Sequence, residues 1–399
     1  MFERGTLIRR LIDVLRVAQQ HVTRLPEYRT YWADDEDPFV TLADKIIVES
    51  AMLALVANRY AGERAEVKIA VEALASSLAP QARSSRNEIL MRRYPHTAMS
   101  LGIAHAALSS IGLSDPQFDA LIRETLIWDK ADCTERLPYR AMERRWLKGL
   151  LNPDAQLQFD DLILLSIAGQ AAHPIFMLAT DVYALTHVPM FITDFGRVEP
   201  PDGFSLTQYC DTVDAAIAWT LFTDNFDLMA ELVLARVLLN VSWSPYQCMA
   251  WKTLELAWDQ LGFLASPSFE MKKFQELAPE ERSSYAFRHV YHTTYVAGML
   301  CATLLDPERS SPSVTFPPLT QDPNLGVECE TAFRAAMEFC VSDSDRDRLD
   351  LRALALQSHV GQVNSPLSAV RELVDLWLSR DSSAVGTPLR VLRACNQIS

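Results

Sequence analysis

A chain of 399 residues, 49% hydrophobic and 22% charged, has the composition of a globular protein long enough to bury a substantial core. Its formal charge of −14 argues against the basic face on which nucleic-acid binders depend, so no nucleic-acid partner is expected. Only 13 glycines favour helices over glycine-rich hairpins.

The opening MFERGTLIRRLIDVLRVAQQ lacks the apolar core of a secretory signal, and no uncharged apolar run reaches the ~18 residues of a membrane span. The 7 cysteines are scattered without a CxxC pair, as expected of reduced thiols rather than a disulfide framework or zinc ribbon. Together these features predict a soluble cytoplasmic protein with no membrane association. The Arg-rich patches RRLIDVLR, MRRY and ERRW lie on helical patterns beside acids and read as solvated faces.

Apolar residues recur at helical spacing along most of the chain. Leu7, Ile8, Leu11, Ile12, Leu15 and Ala18 form the first stripe. A second helix runs through Leu42, Ile46, Ile47 and Ala54, with Thr41 as its cap and Asp44 completing a capping box. Helices are predicted near 64–78, 96–111, 115–129, 137–151, 158–171, 176–194, 206–222, 225–241, 245–262, 284–305, 327–341, 348–360 and 364–380. Breakers such as Ser242-Trp-Ser-Pro245 and Pro200-Pro-Asp-Gly203 separate them, and no phosphate-binding glycine loop occurs. Helices of this length with short turns pair antiparallel, which predicts an all-α fold of helical hairpins. The preferred arrangement is an α/α toroid, with an irregular α-solenoid as the alternative, since no fixed-period repeat can be aligned. Residues 1–306 form the expected main domain. Residues 307–324 read as a Pro/Ser-rich linker or strap, and residues 325–399 as C-terminal helices, within that domain or apart from it.

Three stretches carry candidate chemistry. In DVYALTHVPMFITDFG, a helix would place Thr180, Tyr183, His187, Met190 and Asp194 on one face of an otherwise apolar segment. Such a stripe faces an internal polar space or is a satisfied structural network. Pro189 frees the Leu185 carbonyl next to His187, which suggests a local site. DFG alone, without a glycine-rich loop or HRD loop, is no kinase signal. In YAFRHVYHTTY, His289 and His292 are three residues apart with Arg288, Tyr285 and Tyr295 nearby. Two imidazoles at that spacing can serve proton transfer or, with further ligands, a metal; no HExxH accompanies them, and no metal ligand is assigned. Arg288, if buried, needs an anion, with Asp194, Asp227 and Glu231 as candidate partners.

In TDNFDLMAE, Asp224 reads as a helix cap and Asp227 as a first-turn acid. Glu231, inside LMAELVLARVLL, is out of place unless paired. Asp211 and Asp214 read as an exposed helix start or a paired acid site. Asp34-Asp-Glu-Asp37 fails the DDxxD pattern of terpene cyclases at Pro38 and reads as solvated charge. No cysteine carries a signature of activation, and Cys301 in AGMLCATLL reads as packing.

The segments YALTHVPMFITDFG, DNFDLMAELVLARVLL and FRHVYHTTYVAGMLCA resemble an uncharacterised bacterial all-helical family, over residues 150–305. That family is loosely associated with specialised-metabolite and peptide-modification gene clusters. The resemblance implies a biosynthetic role and transfers no catalytic residue. The resulting expectation is an enzyme with a central polar-aromatic cavity, acting by acid/base or metal-assisted chemistry on a small or peptide-like substrate, without a nucleotide cofactor. His187, backed by Asp194 or Tyr183, would be the acid/base; His289 and His292 would form a second pair; Arg288, Tyr285, Tyr295 and Glu231 would bind substrate, Arg288 through an anionic group. The rival is a non-catalytic helical scaffold or partner-binding protein. The sequence assigns neither a cofactor nor an oligomeric state.

Overall fold

A computed structural model describes residues 3–25, 39–128, 136–152, 154, 157–170, 179–223 and 225–309. The helices expected within 327–380, the acidic string 34–37, Asp224 and almost all of the 307–324 segment lie outside the described residues. Within them the chain is all-α, with fourteen α-helices and no strand. In order these are α1 (Arg4–Thr23), α2 (Leu42–Ala61), α3 (Ala65–Ala82), α4 (Ser85–Arg93), α5 (Ala98–Ser110), α6 (Pro116–Trp128) and α7 (Pro138–Leu151). There follow α8 (Asp160–Leu165), α9 (Ala179–Ile192), α10 (Leu206–Thr223), α11 (Phe226–Leu238), α12 (Pro245–Leu261), α13 (Met271–Glu276) and α14 (Pro279–Leu304).

Local chemistry sets many of the boundaries. The Thr41–Asp44 capping box opens α2, and Ser84, Asn225 and Ser244 accept backbone N–H groups at the starts of α4, α11 and α12. Asn225, not Asp224, therefore caps α11. Prolines at the first helical turn of α7, α12 and α14 give up no needed donor there. Gly262, at φ 76, ends α12 in the left-handed region. The helix expected over 158–171 is shorter: α8 stops at Leu165 and a 3-10 turn over Ile167–Gly169 follows.

Packing sorts the helices into two sets. α2 packs on α5, α5 on α7, α7 on α9, α9 on α11, α11 on α14, and α14 returns to α2, so the contacts close into a cycle. The other long helices flank it: α1 lies against α2, α3 and α14, α6 against α5, and α10 and α12 against α11. Burial follows the same division. α11 is buried at every position from Phe226 to Leu238 except Asp227, and α5 at nearly every position from Ala98 to Leu108. A helix apolar all round must be surrounded on all sides. α1, by contrast, buries one stripe through Leu7, Leu11, Val14, Leu15, Ala18 and Val22. Each large side chain of that stripe contributes roughly 1.5–3 kcal/mol by leaving water.

The cycle has two distinguishable ends. Just past α9, Asp194, Phe195 and Gly196 stand at φ 49, 53 and 81, a left-handed turn that costs about 1 kcal/mol or more at each non-glycine residue. Neighbouring helix ends hold it in place. Arg59, near the end of α2, donates to the Asp194 carbonyl at 2.7 Å and to both carboxylate oxygens at 3.1 Å. Trp146 Nε1 of α7 and Arg197 Nε donate to the same carboxylate at 2.7 and 2.6 Å. Tyr60 donates to the Phe195 carbonyl, and Arg309, just past α14, donates to the Gly196, Val237 and Leu238 carbonyls. The C-terminal ends of α2, α9, α11 and α14, with the second half of α7, thus meet at one end of the cycle, and these helices run in the same direction. Their N-terminal halves meet at the other.

Candidate functional site

At the N-terminal end, the acids that interrupt apolar helices gather around one imidazole. His292, midway along α14, has both ring nitrogens occupied: Nδ1 lies 2.9 Å from Glu49 Oε2 of α2, and Nε2 lies 2.9 Å from Glu231 Oε1 of α11. Asp227 Oδ1, one turn before Glu231, is 3.7 Å from Nε2 and accepts the Thr293 hydroxyl at 2.7 Å. Lys45, one turn before Glu49, approaches that carboxylate at 3.8 Å. Carboxylates only accept, so an imidazole between two of them donates from both nitrogens and is an imidazolium. Burial alone would pull the His292 pKa down, but the Glu49 and Asp227 charges and the hydrogen bonds to Glu231 and Glu49 raise it well above the ordinary histidine value.

The two α11 acids divide in consequence. Burial raises both, but His292 and the nearby His187 hold Glu231 below the usual carboxylate range. Asp227 remains raised, by burial first and then by the Glu231 and Glu49 charges, against His292. The same cluster thus pulls one acid towards the anion and displaces the pKa of the other upwards.

α9 and α7 complete the site. His187 Nδ1 lies 2.9 Å from the Tyr183 carbonyl and 2.8 Å from the Thr186 hydroxyl, which donates to the same carbonyl at 3.0 Å. A carbonyl can only accept, so Nδ1 carries a proton, and the tautomer this selects has its lone pair on Nε2. Tyr183, 40% exposed, and Tyr139 of α7 flank the ring, with centroids 6.1 and 5.6 Å away. Burial, then Glu231 and Asp227, raise the Tyr183 pKa, so its phenol stays protonated. The residues of this site come from α2, α7, α9, α11 and α14, five of the six helices of the cycle.

The residues singled out from sequence are distributed over several places. His187, Tyr183, His292 and Glu231 come together. Asp194 does not join them: it lies beyond the end of α9, in the Arg59–Trp146 turn at the opposite end, because the left-handed residues break the helical face. The Leu185 carbonyl freed by Pro189 is no ligand site, since the Tyr209 hydroxyl caps it at 2.5 Å. His289 bonds Ser268 Oγ at 2.7 Å, the Tyr285 hydroxyl accepts from the Glu270 amide at 2.9 Å, and Arg288 is exposed. Arg288 therefore needs no buried anion, and the acids named as its partners are engaged by Arg59 or His292. Tyr295 is buried against His21 Nδ1 at 2.9 Å. The difference along α14 is one of depth: burial is partial before Tyr291 and nearly continuous from there to its end, so one turn separates His289 from the interior site.

Glu49, Tyr139 and Thr186 were not assigned to a site from sequence, and Asp227 was named only as a first-turn acid and a candidate partner of Arg288. Glu49 carried the same signal as Glu231, a lone acid in the apolar run IIVESAMLALVA. Asp214 belongs to a separate structural group: it pairs with Arg236 at 2.9 Å, accepts from Ser244, and burial raises its pKa to about 6. Asp211 is exposed. The described cysteines, Cys210, Cys248 and Cys301, are free, and burial pushes the Cys301 thiol up to about 12.

Two other features of the described residues bear on ligands. Among them, no group of three or more His, Cys, Asp or Glu side chains is disposed to hold a metal ion, and no helix is long and apolar enough to cross a membrane. A cleft of about 740 Å³ opens at the C-terminal end, bordered by Arg59, Trp146, Asp194, Arg197 and Asp119. Its Arg59 and Arg197 are paired to Asp194, and its Asp119 to His105.

No curated protein and no solved structure matches the chain. A family model described as a domain of unknown function (DUF6895) matches residues 12–302, a span containing every residue of the carboxylate–histidine cluster, and the chain belongs to that family.

Proposed function

We propose that the protein is an enzyme that moves protons on a small or peptide-like substrate, at the N-terminal end of a closed, toroidal ring of helices. One observation carries this reading: ionisable side chains from five of the six ring helices meet at that end, in a partly open position. In this reading His187 is the general base, acting through Nε2 while the Tyr183 carbonyl fixes its tautomer. Asp227 is the acid, the carboxyl of the group whose pKa burial and its neighbours raise. His292 stays charged and positions Glu49 and Glu231, so it is a positioning residue rather than a proton shuttle. Elimination, cyclisation, isomerisation and hydrolysis all fit this pair. The resemblance to a bacterial family associated with specialised metabolism extends the proposal to a biosynthetic role in the cytoplasm.

The test is a comparison of small-molecule extracts in D₂O, incubated with the protein and followed by mass spectrometry. The reading expects a conversion or deuterium incorporation that needs the protein and is lost in His187→Ala and Asp227→Asn. Profiles identical with and without protein, or a conversion that survives both substitutions, would refute it. The second reading, a non-catalytic scaffold, draws on the same ion pairs, because they also cross-link α2, α11 and α14. It expects both variants to differ from the parent in stability only.

A further inference from the structure

Resting on the reading of this cluster as a substrate site, we infer that the group it binds is cationic: an ammonium carried by the substrate, received between Glu231 and Asp227. Formal charge gives the first reason. Glu49 and Glu231 supply two negative charges against positive charges on His292 and Lys45, and Asp227 adds a third whenever it gives up its proton, so a cation is the charge that balances the group once Asp227 has acted as an acid.

Two buried polar atoms give the second reason, which is independent of the charge count. Glu231 is 1% exposed, and its Oε2 has no hydrogen-bond partner among the described residues. Its sister oxygen Oε1 binds His292, so the bare oxygen faces the same cluster. The Thr186 hydroxyl nearby stands 3.0 Å from the Tyr183 carbonyl and also helps to lower the Glu231 pKa, so its single proton is divided between that carbonyl and the carboxylate and leaves acceptor capacity on Glu231 unfilled. The Tyr291 hydroxyl, on a side chain 3% exposed and close to Glu49 and Asp227, likewise has no partner among the described residues. A buried carboxylate oxygen without a donor is costly, and such atoms in folded proteins are satisfied by a ligand or by water.

An ammonium suits these atoms. It offers three N–H donors around one centre, and Glu231 Oε2, an Asp227 carboxyl oxygen and the Tyr291 oxygen can accept them. The aromatic faces of Tyr183 and Tyr139 beside His187 favour a cation at the mouth. An anionic group would meet the Glu49 and Glu231 carboxylates. Placed there, the ammonium would stand within reach of the proposed base, as the reactive amine or as the handle that orients a neighbouring carbon.

The experiment uses the full chain, labelled with ¹³C in its histidine rings, and three probes of equal length: n-butylammonium, n-butanol and butyrate. Saturable binding of n-butylammonium that moves the His187 and His292 ring signals is expected, with butanol and butyrate moving neither. Glu231→Gln should weaken n-butylammonium binding by about tenfold or more, the loss of one charge-assisted contact. Asp227→Asn, which keeps the shape of the side chain, is the second variant should Glu231→Gln fail to fold. Butyrate or butanol binding as tightly as n-butylammonium would overturn the inference. So would ring signals unmoved up to roughly 50 mM, weaker than any plausible specific site, or affinity unchanged in the folded variants. Protein-dependent conversion of an anionic or neutral substrate without ammonium binding would sink this inference and leave the acid/base reading standing. Ammonium binding without any conversion would do the reverse.

Discussion

Replacing His292 by Gln removes the one positive charge shared by Glu49, Glu231 and Asp227 and leaves three acidic side chains facing each other. In the parent, two contacts of 2.9 Å and one of 3.7 Å converge on the ring. Deleting one partner of a buried ion pair costs about 3–5 kcal/mol. The His292 side chain is 27% exposed, so solvent screening reduces the expected loss to roughly 2–4 kcal/mol. That is a large part of a total stability of about 5–15 kcal/mol. The loss depends on pH. Because the folded pKa is raised, the histidine contribution is complete below the unfolded value of ~6.5 and is lost as pH rises through the raised folded value. At strongly acid pH the carboxylates protonate and the attraction fades, so the deficit is greatest near about pH 5.5. Urea unfolding of parent and variant, followed by far-UV circular dichroism at pH 5.5, 7 and 9, measures it as a midpoint shift at constant slope. A variant within about 0.5 kcal/mol of the parent at pH 5.5 would show that the imidazolium is not held from both sides.

Four further predictions follow the same logic. Asp227→Asn relieves repulsion from Glu231 and Glu49 while an amide oxygen can still accept the Thr293 hydroxyl, so stability should hold or rise by about 1 kcal/mol in urea melts although function is lost. Asp194→Ala strips Arg59, Trp146 and Arg197 of their shared acceptor and puts alanine at φ 49; a loss of roughly 3–5 kcal/mol is expected by chemical denaturation. Gly298→Ala brings a methyl to 2.8 Å from Val14 Cγ1 and 3.0 Å from Leu53 Cδ1, where α14 crosses α1 and α2. Overpacking there should exceed the gain in helix propensity by about 1–2 kcal/mol, read as a lowered melting temperature. Burial and the neighbouring Arg24 charge lower the His21 pKa to about 4, so its neutral ring supports the fold above ~6.5, and that support is lost as pH falls towards the folded value. The loss amounts to no more than about 3 kcal/mol and should vanish in His21→Phe when urea midpoints are compared across pH.

The sequence by itself determined the class of fold, because helical periodicity is a property of neighbouring residues. The stripe of α1, the Thr41–Asp44 cap of α2 and the Pro245 start of α12 can all be read within a few positions. It also marked Glu231, His187 and His292 as residues whose surroundings needed explaining. Which of them share a site was decided by tertiary structure. His289 and His292 differ by one helical turn, yet the first lies near the Ser266–Ser268 loop and the second within the helix cycle. Asp194 and His187 look like neighbours on one face until three left-handed residues turn the acid towards Arg59. Glu49 reaches His292 across 243 positions of chain, through the packing of α2 on α14. Local spacing fixes which way a side chain leaves its own helix, whereas the charge it meets depends on how distant helices close upon one another.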